Sequence, residues 1–319
     1  MLGDIITPDL FASAFRMATP LALAAIGGTI CERSGVVNIA LEGIMLVGAF
    51  AGVAVTLAFG SPWLGVVAAV LAGVAIAAIH AFTSINLRSD QVVSGTAINI
   101  LALGLTGFLM EIMYGHPGTT EAIITIKPVF RFATERGSGT FFGVIWNWFN
   151  TIVLSHTPIV YGAIIIAVVA QWAMYNTRWG LHLRALGEHP RAVDTVGVSV
   201  VRGRWIAVLM SGALAGLAGA NLTLEQVGSF TENMTNGRGF IALAANIFGR
   251  WTPVGSYSAS LLFGFFDALQ IKLQIFRGEI NIPPQFFLMM PYVLTVVVLA
   301  GVVGRAVGPA AVGKPYKKG

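Results

Sequence analysis

The sequence predicts an all-α polytopic membrane protein of about eight to nine transmembrane helices, with a broken or re-entrant segment, and three observations predict it. Apolar residues make up 56% of the 319-residue chain and charged residues only 10%, whereas soluble domains carry about 25% charged residues. The mean hydropathy is +0.79. The apolar runs recur at roughly 20 residues, the length at which a helix crosses the hydrocarbon core. Residues 1–319 are expected to form a single transmembrane domain.

Taken in order, apolar spans fall near 10–30, 36–58, 63–86, 91–110, 158–176, 205–224, 255–275 and 285–304. A shorter apolar piece at 239–249 is too brief to cross as a helix and reads as the re-entrant or broken segment. It has a counterpart in the Gly-interrupted stretch near 34–52. Interruptions in opposite halves of a chain are the pattern of an inverted repeat beside a transport pathway, although no residue-level repeat is visible.

Charge orients these spans. The loop at about 177–204 carries Arg178, Arg184, Arg191, Arg202 and Arg204, and the tail 305–319 carries Arg305, Lys314, Lys317 and Lys318. Placing both in the cytoplasm by the positive-inside rule puts the N-terminus outside and the C-terminus inside. Of the 19 Lys and Arg residues, 12 then lie inside and 6 outside, with Arg16 in a span. The outside loop at about 111–157 contains "FFGVIWNWFN", suited either to the headgroup level or to an external partner. The same topology accounts for the basic balance, and no aromatic-laced basic patch points to nucleic acid. Cys31 is the only cysteine, so an intrachain disulfide is excluded.

Little in the chain speaks for catalysis. The histidines, at 80, 116, 156, 182 and 189, form no H-E-x-x-H pair, and no nucleophile elbow, paired carboxylates or metal-ligand set is found. The tail stretch "GPAAVGK" matches the first part of a phosphate-binding loop, but Pro315 follows the lysine, and neither a preceding strand nor a following helix is expected. This chain is therefore not expected to bind ATP or any other cofactor.

Polar residues inside apolar spans need a reason, because a carboxylate at a helix centre costs about 2.5–3.5 kcal/mol on insertion scales. In "CERSGVVNIALEG", a span starting at Val36 puts Glu42 about 9 Å in and sets Asn38 and Glu42 on one helix face. They line a pathway or lock a helix contact. Asp267 lies about 18 Å into a span starting at Gly255, and Lys272 is poorly placed to pair with it along the helix. A donor on another helix is expected. Asn99 and Asn246 are intramembrane amides that bond either a neighbouring helix or a hydroxylated solute. Gly212 and Gly216, spaced G-x-x-x-G, are expected to let two backbones approach closely.

In the basic loop, "EHPRAVDTV" between Gly187 and Gly197 fits about two helical turns, with Pro190 tolerated in the first and Gly197 as a stop. Arg191 and Asp194 share a face. A short charged helix of this kind suits a soluble partner subunit.

The segments "ERSGVVNIALEGIMLVGAF", "DQVVSGTAINILALGLTGFL", "LRALGEHPRAVDTVGVSV" with "SGALAGLAGA", and "GRGFIALAANIFGRWTPVGS" together resemble inner-membrane permease subunits of bacterial ABC importers. The group is the one serving ribose-type sugars, branched-chain amino acids and nucleosides, and the first segment is most similar to its nucleoside and simple-sugar branch. The resemblance runs from about Met17 to Leu299 and implies a bacterial inner-membrane protein importing nucleosides or simple sugars by alternating access. It implies a coupling helix at Gly187, Glu188, His189, Pro190, Arg191, Ala192, Asp194 and Gly197, with Gly187, Pro190, Ala192 and Gly197 matching most closely. It further implies an ABC ATPase subunit holding ATP and Mg, a second permease subunit (homologous or identical), an external solute-binding lipoprotein and surrounding membrane lipid. Two other classes make different demands. An ion-coupled secondary transporter would have Asp267 as its coupling site, and an intramembrane enzyme would need paired catalytic groups at one depth.

Overall fold

The computed structural model describes residues 6–130, 141–275, 286, 289, 293, 297 and 307–317. Its long helices are α1 (Pro8–Arg33), α2 (Leu41–Phe59), α3 (Pro62–Ala81), α4 (Gln91–Tyr114), α6 (Pro158–Asn176), α9 (Val200–Ala220) and α11 (Pro253–Ile275). Short helices α5 (Phe141–Phe149), α7 (Arg178–Glu188), α8 (Pro190–Thr195) and α10 (Arg238–Phe248) lie between them. Among the described residues six helices are long and apolar enough to cross a membrane, counting the π-helical ends at Phe82–Asn86 and Asn221–Val227 with α3 and α9. The expected span at 285–304 lies largely outside the described residues.

Local chemistry sets the helix ends. Helices α1, α3, α6 and α11 open on Pro8, Pro62, Pro158 and Pro253, where a missing N–H costs nothing and φ is preset. Asp90 caps α4 by accepting the amides of Val92 and Val93 at 2.8 and 3.0 Å. Gly60 and Gly115 close α2 and α4 in the left-handed region at φ 67° and 73°. Within α1, Pro20 cannot donate to the Arg16 carbonyl. Gln226 supplies a proton instead, its Nε2 donating to that oxygen at 2.9 Å, so no carbonyl is stranded in lipid.

Small residues bring the central helices together. A Cβ on Gly212 would run into Ala77 and the Gly73 carbonyl, and one on Gly216 into the Ala69 carbonyl. A Cβ on Gly48 of α2 would lie 2.8 Å from the Gly216 Cα. The expected close approach is therefore made inside this chain, between α9 and both α2 and α3. On the other side α1 packs along α11, with Gly264 against Ala14 and Ala18.

The ends of the bundle separate cleanly. Lys272 bonds Thr7 at one end, where Ile123 also donates to the Gly228 carbonyl and Glu225 accepts from Thr157. At the other end Arg33 meets Trp251, the backbone of Gly187 meets Ala311, and Trp205 bonds Asn86. The start of α1 and the described tail thus lie at opposite ends.

Two expectations change. The loop at 177–204 is largely helical: α7 and α8 turn on His189, and α9 begins at Val200. The second span begins at Leu41 rather than Val36. Asn38 therefore precedes the helix, and Asn38 and Glu42 do not share a helical face.

Candidate functional site

Between α1 and α2 the chain runs from Ser34 to Ala40 outside either helix, with Ser34, Gly35, Val36, Asn38 and Ala40 buried and Val37 and Ile39 half-buried. Unpaired backbone in such a place costs about 1–3 kcal/mol per group, so each polar group needs a partner. Side chains of three other helices provide them. The Val37 amide donates to Gln91 Oε1 at 2.7 Å, and the Val37 carbonyl meets His80 Nε2 at 2.9 Å. Asn99 spans the start of α2: its Nδ2 donates to the Ile39 carbonyl at 3.0 Å, and its Oδ1 accepts the Gly43 amide at 2.8 Å. Asn38 Nδ2 donates to Ser211 Oγ on α9 at 2.9 Å, and its Oδ1 is buried without a partner among the described residues.

The charges flanking this junction hold a second element. Glu42 Oε1 accepts the Gly237 amide at 2.7 Å and Oε2 accepts the Gly239 amide at 2.6 Å. These are orphan donors at the N-terminus of α10, where the helix dipole favours an anion. The contact requires glycine: a Cβ on Gly239 would lie 2.5 Å from the backbone of Glu42. At the opposite end of the same helix Arg33 Nε donates to the Trp251 carbonyl at 2.7 Å, and Arg33 Nη2 to the Arg250 carbonyl at 3.2 Å. Arg250 and Trp251 both sit at positive φ, 53° and 51°, a conformation costing roughly 1–2 kcal/mol each for residues with a Cβ. Glu32 accepts from the Trp251 indole and braces the same turn. One carboxylate and one guanidinium, nine residues apart by their numbers, thus clamp the two ends of an eleven-residue helix.

The other predicted residues divide. Asn246, on α10, accepts from Thr29 Oγ1 at 2.7 Å, and Thr29 also meets Ser256 Oγ at 2.8 Å, tying α10 to α1 and α11. Asp267 is half-buried on α11. Contrary to expectation, no donor on another helix bonds it among the described residues, and Arg238, the first residue of α10, is the cation acting on it. The structure therefore brings Asn38, Glu42, Asn99 and Asn246 around the junction and α10, and leaves Asp267 beside the start of α10. Sequence reasoning missed Gln91, Ser211 and Trp251 as partners, and His80 had only the weak signal of an imidazole in an apolar helix.

The second polar region is the α7–α8 turn. Thr177 caps α7 by accepting the Gly180 amide at 3.1 Å. Leu186, Val193 and Val200 form a small apolar cluster that seats α8 against the bundle. Glu188, His189, Arg191 and Ala192 are exposed, while Gly187 is buried against the Arg33 carbonyl. A cleft of about 570 Å³ opens between α8 and the tail, lined by His189, Pro190, Arg191, Lys314, Pro315 and Tyr316 among others. Among the described residues no group of three His, Cys, Asp or Glu side chains is placed to hold a metal ion.

Residues 10–299 match the family described as branched-chain amino acid transport system / permease component. The chain is 42% identical to the guanosine ABC transporter permease protein NupQ of Bacillus subtilis, over 95% of this chain and 94% of that protein. It is 37% identical to the nucleoside ABC transporter permease protein NupC of Lactococcus lactis, over 97% and 96% of the two chains. It is 35% identical to TsgC13 of Haloferax volcanii, a permease named for glucose, over 93% and 92%. Bacillus subtilis also has a second guanosine permease, NupP, 27% identical over 82% of this chain and 74% of that protein. No solved structure matches the chain. A polytopic helical bundle with a polar broken-helix core, matched over nearly its whole length, places this chain in the family of branched-chain amino acid transport system permease components.

Proposed function

We propose that this chain is the transmembrane subunit of an ATP-driven importer that carries nucleosides across the inner membrane by alternating access. The observation that carries this reading is the 42% identity to a guanosine permease over 95% of the chain. ATP hydrolysis is assigned to a separate ABC subunit holding ATP and Mg, which docks on the exposed α7–α8 turn at Glu188, His189, Arg191 and Ala192. That face and the tail lie in the cytoplasm, and the N-terminus and a solute-binding lipoprotein lie outside. The second permease is a related but different chain, a reading supported by two guanosine permeases of unequal similarity in one bacterium. Residues 1–319 act as one permease domain.

In this mechanism α10 is the moving gate and the α1–α2 junction its cradle. Glu42 and Asn246 fix the gate's resting position, and Asn38 and Asn99 hold the cradle in shape. Asp267, to which no described residue donates a hydrogen bond, is the polar group left to face solute. Every one of these steps is binding or reorientation; no covalent chemistry is assigned to the chain.

The test is uptake of labelled guanosine, uridine, ribose and glucose into proteoliposomes holding this chain with its ATPase, partner permease and binding protein. ATP-dependent nucleoside uptake is the expected result. Uptake driven by an ion gradient without ATP would overturn the reading. Uptake of a sugar alone, the alternative favoured by the 35% identity to TsgC13, would keep the mechanism and replace the solute. Branched-chain amino acids, named in the family description, belong in the same assay.

A further inference from the structure

The stretch that imitates a phosphate loop has a different use in the fold. Residues 307–317 do not trail into solvent; they lie across one end of the bundle and touch α7, the cluster that seats α8, the α1–α2 junction and the turn after α10. The Ala311 amide donates to the Gly187 carbonyl at 2.7 Å, and the Ala310 amide to Glu188 Oε2 at 3.2 Å, joining the tail to the end of α7. Tyr316 packs on the Leu186–Val193–Val200 cluster that seats α8. The Gly313 amide donates to the Gly35 carbonyl at 3.2 Å, inside the α1–α2 junction. Gly308 lies close against the Trp251 ring, where a Cβ would sit 3.1 Å from its carbons.

A guanidinium locks the same contact from the bundle side. Arg204, buried near the start of α9, donates from Nε to the Ser34 carbonyl at 3.2 Å and from Nη1 to the Lys314 carbonyl at 3.1 Å. One rigid planar group therefore spans the junction and the tail. Gly35 sits at φ 93°, a conformation that glycine adopts without strain, and lies directly beneath the Arg204 guanidinium.

From these contacts we infer that segment 307–317 is a transmission strap: it carries displacement of α7–α8 to the α1–α2 junction and to the Trp251 end of α10. Beside it, α7 meets the junction side through the buried Gly187–Arg33 contact, and α8 meets it only indirectly, through Val200 of α9, the helix whose Arg204 bonds the Ser34 carbonyl. Arg204 is a positioning residue that keeps the strap seated. The inference rests on the importer reading of the α8 face and adds to it a part that is not membrane-embedded.

The experiment compares the assembled transporter containing wild-type chain, chain ending at residue 306, Arg204→Ala or Tyr316→Ala, in proteoliposomes with guanosine. ATP hydrolysis and uptake are measured in the same vesicles. The wild-type vesicles test the importer reading by themselves: without ATP-dependent uptake there, the importer reading fails, and the strap falls with it. With wild-type uptake present, the strap predicts a fall of at least about fivefold in solute carried per ATP for the truncation and for Tyr316→Ala, while hydrolysis stays within about twofold. Arg204→Lys, which keeps the charge and loses the fork, is expected to fall between wild type and Arg204→Ala. Uptake and hydrolysis falling in parallel, or an unchanged ratio, would overturn the inference. Should the truncated chain fail to assemble, Tyr316→Ala decides, because its partly exposed side chain leaves the bundle intact when removed.

Discussion

The α1–α2 junction and the α7–α8 turn are both short, polar interruptions in an apolar chain, and they spend their polar groups in opposite directions. At the junction every charge points into the protein. Glu42 holds two amides, Arg33 two carbonyls, and Asn99 both sides of a helix start. At the turn Glu188, His189 and Arg191 are exposed, while Leu186, Gly187 and Val193 face the bundle. Buried polar groups in lipid must be satisfied where they stand, whereas exposed ones cost little and remain free to meet another surface. The first region stores a geometry; the second offers a handle.

Substitutions can break or sharpen this contrast. Glu42→Ala is expected to have the largest effect. It strands two amides at the buried N-terminus of α10, a loss on the order of 3 kcal/mol, seen as a lower unfolding midpoint of the purified permease and more than tenfold slower uptake. Glu42→Gln should recover part of both, since one acceptor oxygen remains. Next comes Arg33→Ala, at about 2 kcal/mol from two lost charge-assisted bonds, measured by the same melting assay. Asn99→Leu follows at about 1.5 kcal/mol, because the Ile39 carbonyl and Gly43 amide lose their bonds. Arg191→Ala should be smallest in stability, within about 0.5 kcal/mol as for exposed sites generally, yet should weaken association with the ATPase in a pull-down. A marked loss of permease stability in Arg191→Ala, or none in Glu42→Ala, would erase the distinction.

Much of the fold was legible in the sequence because a membrane helix is a local property. The span at 158–176 coincides with α6, and 239–249 differs from α10 by one residue at each end. The G-x-x-x-G contact was readable for the same reason, small size at fixed spacing. The site was legible only in part. "CERSGVVNIALEG" announced that polar residues would be buried, but their partners lie far along the chain: Glu42 and Gly239 are separated by 197 residues, Arg33 and Trp251 by 218. Periodicity carries no information about such pairs. It also misplaced the start of α2, because Val36 to Ala40 is apolar enough to pass for helix; its non-helical backbone is held by Gln91 and Asn99 of α4 and His80 of α3.

The central claim is that α10 is clamped at its N-terminus by Glu42 and at its C-terminal turn by Arg33. Amide hydrogen exchange across residues 237–251 tests it most directly, in wild type, Glu42→Ala and Arg33→Ala. The account predicts faster exchange confined to the first turn, including Gly237 and Gly239, in Glu42→Ala, and confined to the Gly249–Trp251 turn in Arg33→Ala. Unchanged protection of the Gly237 and Gly239 amides in Glu42→Ala would contradict it.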